Sequence, residues 1–94
     1  MKIAWTPQSL RAFKRIIRKR PDFRPLIEQT LRQLAKDPFD RSLRTHKLKG
    51  DLSNVWSCSI DYYNNRILFE FIENPEDQEE AILLLNLGSH DEVY

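Results

Sequence analysis

At Val55 the spacing of apolar residues changes, and this change limits the fold more than any other feature of the sequence. Before it, two stretches recur at helical spacing: Leu10, Phe13, Ile16 and Ile17, then Leu26, Ile27, Leu31, Leu34 and Ala35. After it, Val55 to Ile60 alternates large or apolar residues with small polar ones, and Arg66 to Ile72 reads as a further strand. A helix-patterned half followed by a strand-patterned half predicts an α+β chain in which helices cover one face of a largely antiparallel sheet.

Local signals bound the elements. Residues 2–5 read as a short strand, and Thr6-Pro7 as a helix start with Thr6 as N-cap and Pro7 at the first helical position, the helix running to about Lys19. Arg20-Pro21 interrupts it, Asp22 is positioned to cap again, and a second helix stops before Pro38. Phe39 to Ser53 lacks a period and reads as loop, Asp61 to Asn65 as a hairpin turn, and Asn74 to Gln78 as a second turn. The apolar run Ala81–Leu85 inside Glu79–Leu87 predicts a strand buried on both faces. The expected order is β-α-α-β-β-β with a four-stranded sheet. The 94 residues suit one domain spanning positions 1–94.

Composition removes several function classes. A lone Cys58 forms no internal disulfide, and the strand-like start lacks the look of a secretory leader, so the expected compartment is the cytoplasm. No apolar run approaches the roughly 20 residues of a membrane span. With two glycines and two widely separated histidines, no phosphate-cradling loop or metal-ligand spacing is present, and neither metal nor cofactor is expected. The net charge of +1 conceals a division: residues 1–50 carry 14 Lys/Arg against four acids, and residues 51–94 carry Arg66 against ten. A basic half of this kind suits phosphate, although solvated helix faces beside an acidic hairpin account for the same count.

Three segments carry a resemblance. They are Leu48-Lys49-Gly50-Asp51-Leu52-Ser53-Asn54-Val55-Trp56-Ser57, Asn65-Arg66-Ile67-Leu68-Phe69-Glu70, and Gly88-Ser89-His90-Asp91-Glu92-Val93-Tyr94. In this order, after two helices, they resemble the RelE/YoeB/YafQ toxins of type II toxin-antitoxin systems. The resemblance implies a RelE-like fold, metal-independent cleavage of messenger RNA in the ribosomal A site, and a cognate antitoxin that forms a hetero-oligomer with the toxin.

It also implies roles. His46 precedes Leu-Lys-Gly where related toxins place a Glu or His, and is the general base for the ribose 2′-hydroxyl. Arg66 corresponds to a strand arginine able to hold phosphate. His90 would protonate the leaving 5′-oxygen, and Tyr94 would stack on or orient the cut nucleotide. Lys47 and Lys49 would position phosphate, Arg11, Lys14, Arg15 and Arg18 would meet RNA backbone, and Tyr62 and Tyr63 are stacking candidates. Residues 57–59 depart from the pattern: Ser57, Cys58 and Ser59 stand where related toxins carry lysines or arginines. That departure leaves open a binding module without catalysis, with gyrase inhibition of the ParE kind as a third reading.

Overall fold

The computed structural model describes residues 1–50, 54–61 and 64–94. Strand β1 (Lys2–Trp5) leads into helix α1 (Pro7–Lys19), a 3₁₀ turn (Pro21–Phe23) and helix α2 (Arg24–Lys36). A second 3₁₀ turn (Arg41–Leu43) precedes β2 (His46–Lys47), β3 (Trp56–Ser59), β4 (Asn65–Glu73), β5 (Glu80–Ser89) and a terminal helical turn α3 (His90–Val93). The strands lie in the order β1-β5-β4-β3-β2, with β1 parallel to β5 and the other pairings antiparallel.

The start of α1 follows its sequence closely. Thr6 Oγ1 accepts the Ser9 amide at 3.1 Å, Ser9 Oγ accepts the Thr6 amide at 3.0 Å, and Pro7 occupies the first turn. Thr6 Oγ1 also donates to the Leu84 carbonyl at 2.9 Å, which fixes the helix origin on β5. This use of Ser9 alters the expected packing stripe. Ser9 and Ala12 are the buried residues of α1, Phe13, Ile16 and Ile17 are half-buried, and Leu10 is exposed. Asp22 does not cap α2: it sits inside the 3₁₀ turn, and α2 starts without a side-chain cap.

Alternation along the strands sorts the sheet into two faces. Cys58, Ile67, Phe69, Ile82, Leu84 and Leu87 join Ala12, Ile27 and Leu34 of the helices in the core. Ser57 and Ser59 fall on the opposite face, level with Leu68 and Arg66 of β4. Between Leu68 and Phe69 the register jumps from Asn86 to Leu84, leaving Leu85 as an extra residue in β5. Such a bulge twists the strand locally and re-aims the residues beyond it, here Asn86 to Ser89.

Among the described residues the sheet has five strands, where the sequence predicts four. His46 and Lys47, expected in a loop, pair antiparallel with Ser57 and Trp56 and form an edge strand. Two residues are too few to display a period. Asn65 opens β4 instead of closing the hairpin turn, and β5 continues past Leu87 to Ser89. The stretch after Ser89 folds into α3 through a second capping box: Ser89 Oγ accepts the Glu92 amide, and Glu92 Oε1 accepts the Ser89 amide at 2.9 Å. Among the described residues no helix is long and apolar enough to cross a membrane.

Candidate active site

The face of the sheet opposite α1 and α2 collects the chemistry-bearing side chains. His46 lies directly opposite Ser57 in the β2–β3 ladder, so the two project to the same face. Tyr94 donates its hydroxyl proton to Ser57 Oγ. The Tyr94 ring meets the His90 ring edge-to-face, with centroids 4.2 Å apart. His46, Ser57, Tyr94 and His90 thus form a continuous row, from the edge strand across β3 to the C-terminal turn.

Arg66 belongs to this face by register. It stands opposite Ser59 on one side and Gly88 on the other, two residues before His90. Its Nη1 donates to the Asn65 carbonyl at 3.1 Å, and it is half-buried. The His90 amide donates to the Asn64 carbonyl at 2.6 Å, which ties α3 to the start of β4 beside Arg66.

His46 is exposed, and its Nδ1 lies 3.1 Å from the Arg44 carbonyl. A carbonyl only accepts, so this contact assigns a proton to Nδ1 and leaves Nε2 of a neutral imidazole as the acceptor. Arg44 holds that carbonyl in place from a left-handed backbone conformation, φ 50°. The His90 imidazole is half exposed, with Nδ1 3.7 Å from an Asp91 carboxylate oxygen.

Lys47 requires a correction. Adjacent strand residues point to opposite faces, and Lys47 Nζ lies 5.9 Å from the ring centroid of Trp56, on the side facing away from His46. It therefore does not position phosphate beside His46. Lys49 is exposed after β2, and Arg11, Lys14, Arg15 and Arg18 are all exposed on α1. Tyr62 and Tyr63 lie outside the described residues.

Cys58 is 1% exposed on the core side, and burial pushes its thiol up to about 12, with Arg66 and the Ile67 backbone pulling the other way. A thiol held protonated at neutral pH is not a nucleophile. Among the described residues no group of three His, Cys, Asp or Glu side chains is placed to hold a metal ion. Sequence reasoning missed Ser57 as the partner of Tyr94, and Arg44 as the support of His46. The first joins the C-terminal turn to a strand far away in the chain, which no local pattern encodes, and the second rests on a backbone carbonyl that no side-chain pattern marks.

No family model matches the sequence, and no curated protein matches it. Solved structures do. A YoeB/ParE toxin from Agrobacterium tumefaciens superposes with a TM-score of 0.78 at 22% identity, covering 96% of this chain and 99% of that one. YafQ from E. coli gives a TM-score of 0.77 at 10% identity over 99% of this chain and 97% of its own. The chain has the RelE-type toxin fold. The same fold recurs in the heterotetrameric YoeB-YefM toxin-antitoxin complex from Staphylococcus aureus, with a TM-score of 0.71, 18% identity, and coverage of 96% and 97%.

Proposed function

We propose that this chain is the toxin of a type II toxin-antitoxin pair, an endoribonuclease that cuts messenger RNA on the ribosome in the cytoplasm. The observation that carries the reading is the row His46, Ser57, Tyr94, His90 on the sheet face opposite α1 and α2, with Arg66 at the same end of the sheet.

The chemistry is set by the groups present. Nε2 of His46 accepts the proton of a ribose 2′-hydroxyl, whose oxygen attacks the adjacent phosphorus. The Arg66 guanidinium offsets charge on the non-bridging oxygens as the phosphorus becomes five-coordinate. The bond to the 5′-oxygen breaks, and protonated His90 supplies that oxygen with its proton. The products are a 2′,3′-cyclic phosphate and a 5′-hydroxyl. The exposed ring of Tyr94 offers a base a surface to stack against, held in place by the hydroxyl contact to Ser57. Nothing in this scheme requires a metal.

The cations of α1, with Lys49, supply non-specific affinity for RNA backbone. An antitoxin is the expected partner, an extended acidic segment lying against the basic face.

The test is induced expression followed by mapping of RNA ends. The expected result is arrested translation, with new 5′-hydroxyl and cyclic-phosphate ends confined to translated messages. Equal cutting of deproteinised RNA contradicts ribosome dependence. One observation favours a second reading, a binding module without cleavage: Ser57 and Ser59 are buried and neutral, so β3 brings no cation to the scissile phosphate. Translation arrest with intact messages selects it.

A further inference from the structure

Beside the proposed catalytic row lies a cleft of about 300 Å³, between the C-terminal half of α1 and the start of α3. Its polar lining comprises Arg15, Lys19 and Arg20 from the helix side, and Asn65, Ser89 and Glu92 from the sheet side. Asn65 immediately precedes Arg66, and Ser89 immediately precedes His90.

The charge balance of this cleft is uneven. Three cations face one carboxylate, and none of the three forms an ion pair among the described residues. Glu92 is already engaged by the Ser89 amide, and its position against Gly88 is close: a methyl group there would come within 3.2 Å of Oε1. Its carboxyl is held below the usual range first by its bonds to Ser89, and also by Arg15 and Lys19. Arg20 is prepared in another way. Its guanidinium carbon lies 4.3 Å over the Phe23 ring, so one flat face is stacked while the N–H edge stays available. A planar donor edge in a cleft that two further cations line suits a phosphate oxygen.

We propose that this cleft is a phosphate subsite of the RNA-binding surface, taking a backbone phosphate next to the one cut between His46 and His90. The assignment rests on the ribonuclease reading, and the cleft adjoins that site because Gly88, the register partner of Arg66, and Glu92, in the same helical turn as His90, both line it. An entering phosphate competes with Glu92 for Arg15 and Lys19. Glu92 is also half of the capping box that holds α3, so occupancy of the cleft and the setting of His90 and Tyr94 are linked.

The test measures binding of a short, uncleavable 2′-O-methyl RNA as a function of salt. Removing Lys19 and Arg20 together, as alanines, is expected to weaken binding and lower the log–log salt slope by about 0.7 per cation lost, as for single strands. Replacing Arg32 and Lys36 together by alanine, both exposed on α2 and outside the cleft, is the charge-matched control and should leave the slope alone. Glu92→Gln retains an oxygen for the Ser89 amide and removes the competing charge; it is expected to tighten binding several-fold, and more than Asp91→Asn, which makes the same charge change outside the cleft. A pyrophosphate titration followed by NMR should shift the amides of residues 15–20 and 88–92.

An unchanged slope in the double variant, or equal effects of Glu92→Gln and Asp91→Asn, overturns the subsite while leaving the cleavage reading intact. Shifts by pyrophosphate without any RNA binding retain the anion site and remove the RNA. Competition by oligoglutamate as strong as by RNA makes the cleft a receptor for acidic peptide and overturns the phosphate assignment.

Discussion

Tyr94, the last residue, donates a hydrogen bond to Ser57, which is fully buried on β3, 37 positions earlier in the chain. This contact lays the C-terminal turn over the sheet face opposite α1 and α2 and brings His90 towards the edge strand that carries His46. Tyr94→Phe leaves the buried Ser57 oxygen without its donor while keeping the ring. The expected loss is about 1 kcal/mol of stability, the range for one unmade hydrogen bond, with faster amide exchange in residues 90–94. An unchanged denaturation midpoint and unchanged exchange would show that the ring alone positions the turn.

Arg66 is the cation set among the row's neighbours by register on both sides, opposite Ser59 and Gly88. With a transition-state role, Arg66→Ala is expected to lower cleavage by roughly 10²–10³-fold, the loss typical of one such donor. Denaturation should show the variant folded. Full toxicity in a folded variant removes Arg66 from the chemistry.

How much of this was legible in the sequence depends on element length. The two helices and strands β3 to β5 announce themselves because their periods repeat over several residues, and Thr6-Pro7 marks a helix start through its own chemistry. β2 has no such signal, since His46 and Lys47 become a strand only through pairing with residues 56 and 57. Missing it concealed that His46 and Lys47 point to opposite faces. The Ser89-x-x-Glu92 spacing of a capping box is present in the sequence, but only two residues come after Glu92, too few to suggest a helix. The residues at 57 and 59 read as missing cations, while the structure makes Ser57 the anchor of Tyr94. That contact is non-local, and no local pattern encodes it.

Glu92 makes the C-terminal turn sensitive to acid. Its carboxyl is depressed below the ordinary value of 4.5, chiefly by hydrogen bonds to Ser89 and secondarily by Arg15 and Lys19. A group depressed on folding contributes stability that is complete above its unfolded value and is lost as pH falls through the folded one. The Ser89 and Tyr94 amide shifts should therefore hold steady at neutral pH and move only below about 4.5. Glu92→Gln should abolish that transition. Persistence of the same transition in the variant would place its origin elsewhere, with exposed Asp91 the neighbouring acid to examine.

Cys58 sits against Ile67 in the core and is held protonated by burial. Iodoacetamide at mildly alkaline pH is expected to leave the native protein unlabelled and to modify it fully in denaturant. Cys58→Ser exchanges a small apolar-like group for a hydroxyl without a provided partner, at a cost of about 1–3 kcal/mol in stability. Rapid native labelling would mean that the β3–β4 core opens far more readily than its packing implies.

His46 and His90 lie 44 positions apart and are linked across the sheet through Ser57 and Tyr94. If one accepts a proton and the other donates one, kcat/KM traces a bell in pH: activity rises as the base loses its proton and falls as the acid loses its own. With Nδ1 of His46 bound to the Arg44 carbonyl, Nε2 is the free acceptor, which makes His46 the base and assigns it the ascending limb. His46→Ala should abolish the ascending limb and His90→Ala the descending one, each with a large loss of rate at the optimum. Because the two would act in one step, the double variant is expected to cost less than the product of the single losses. Retention of both limbs in both variants would make the convergence incidental to the chemistry. Other titrating groups would then supply the two limbs, and Arg66 would stabilise the developing charge without either histidine taking part.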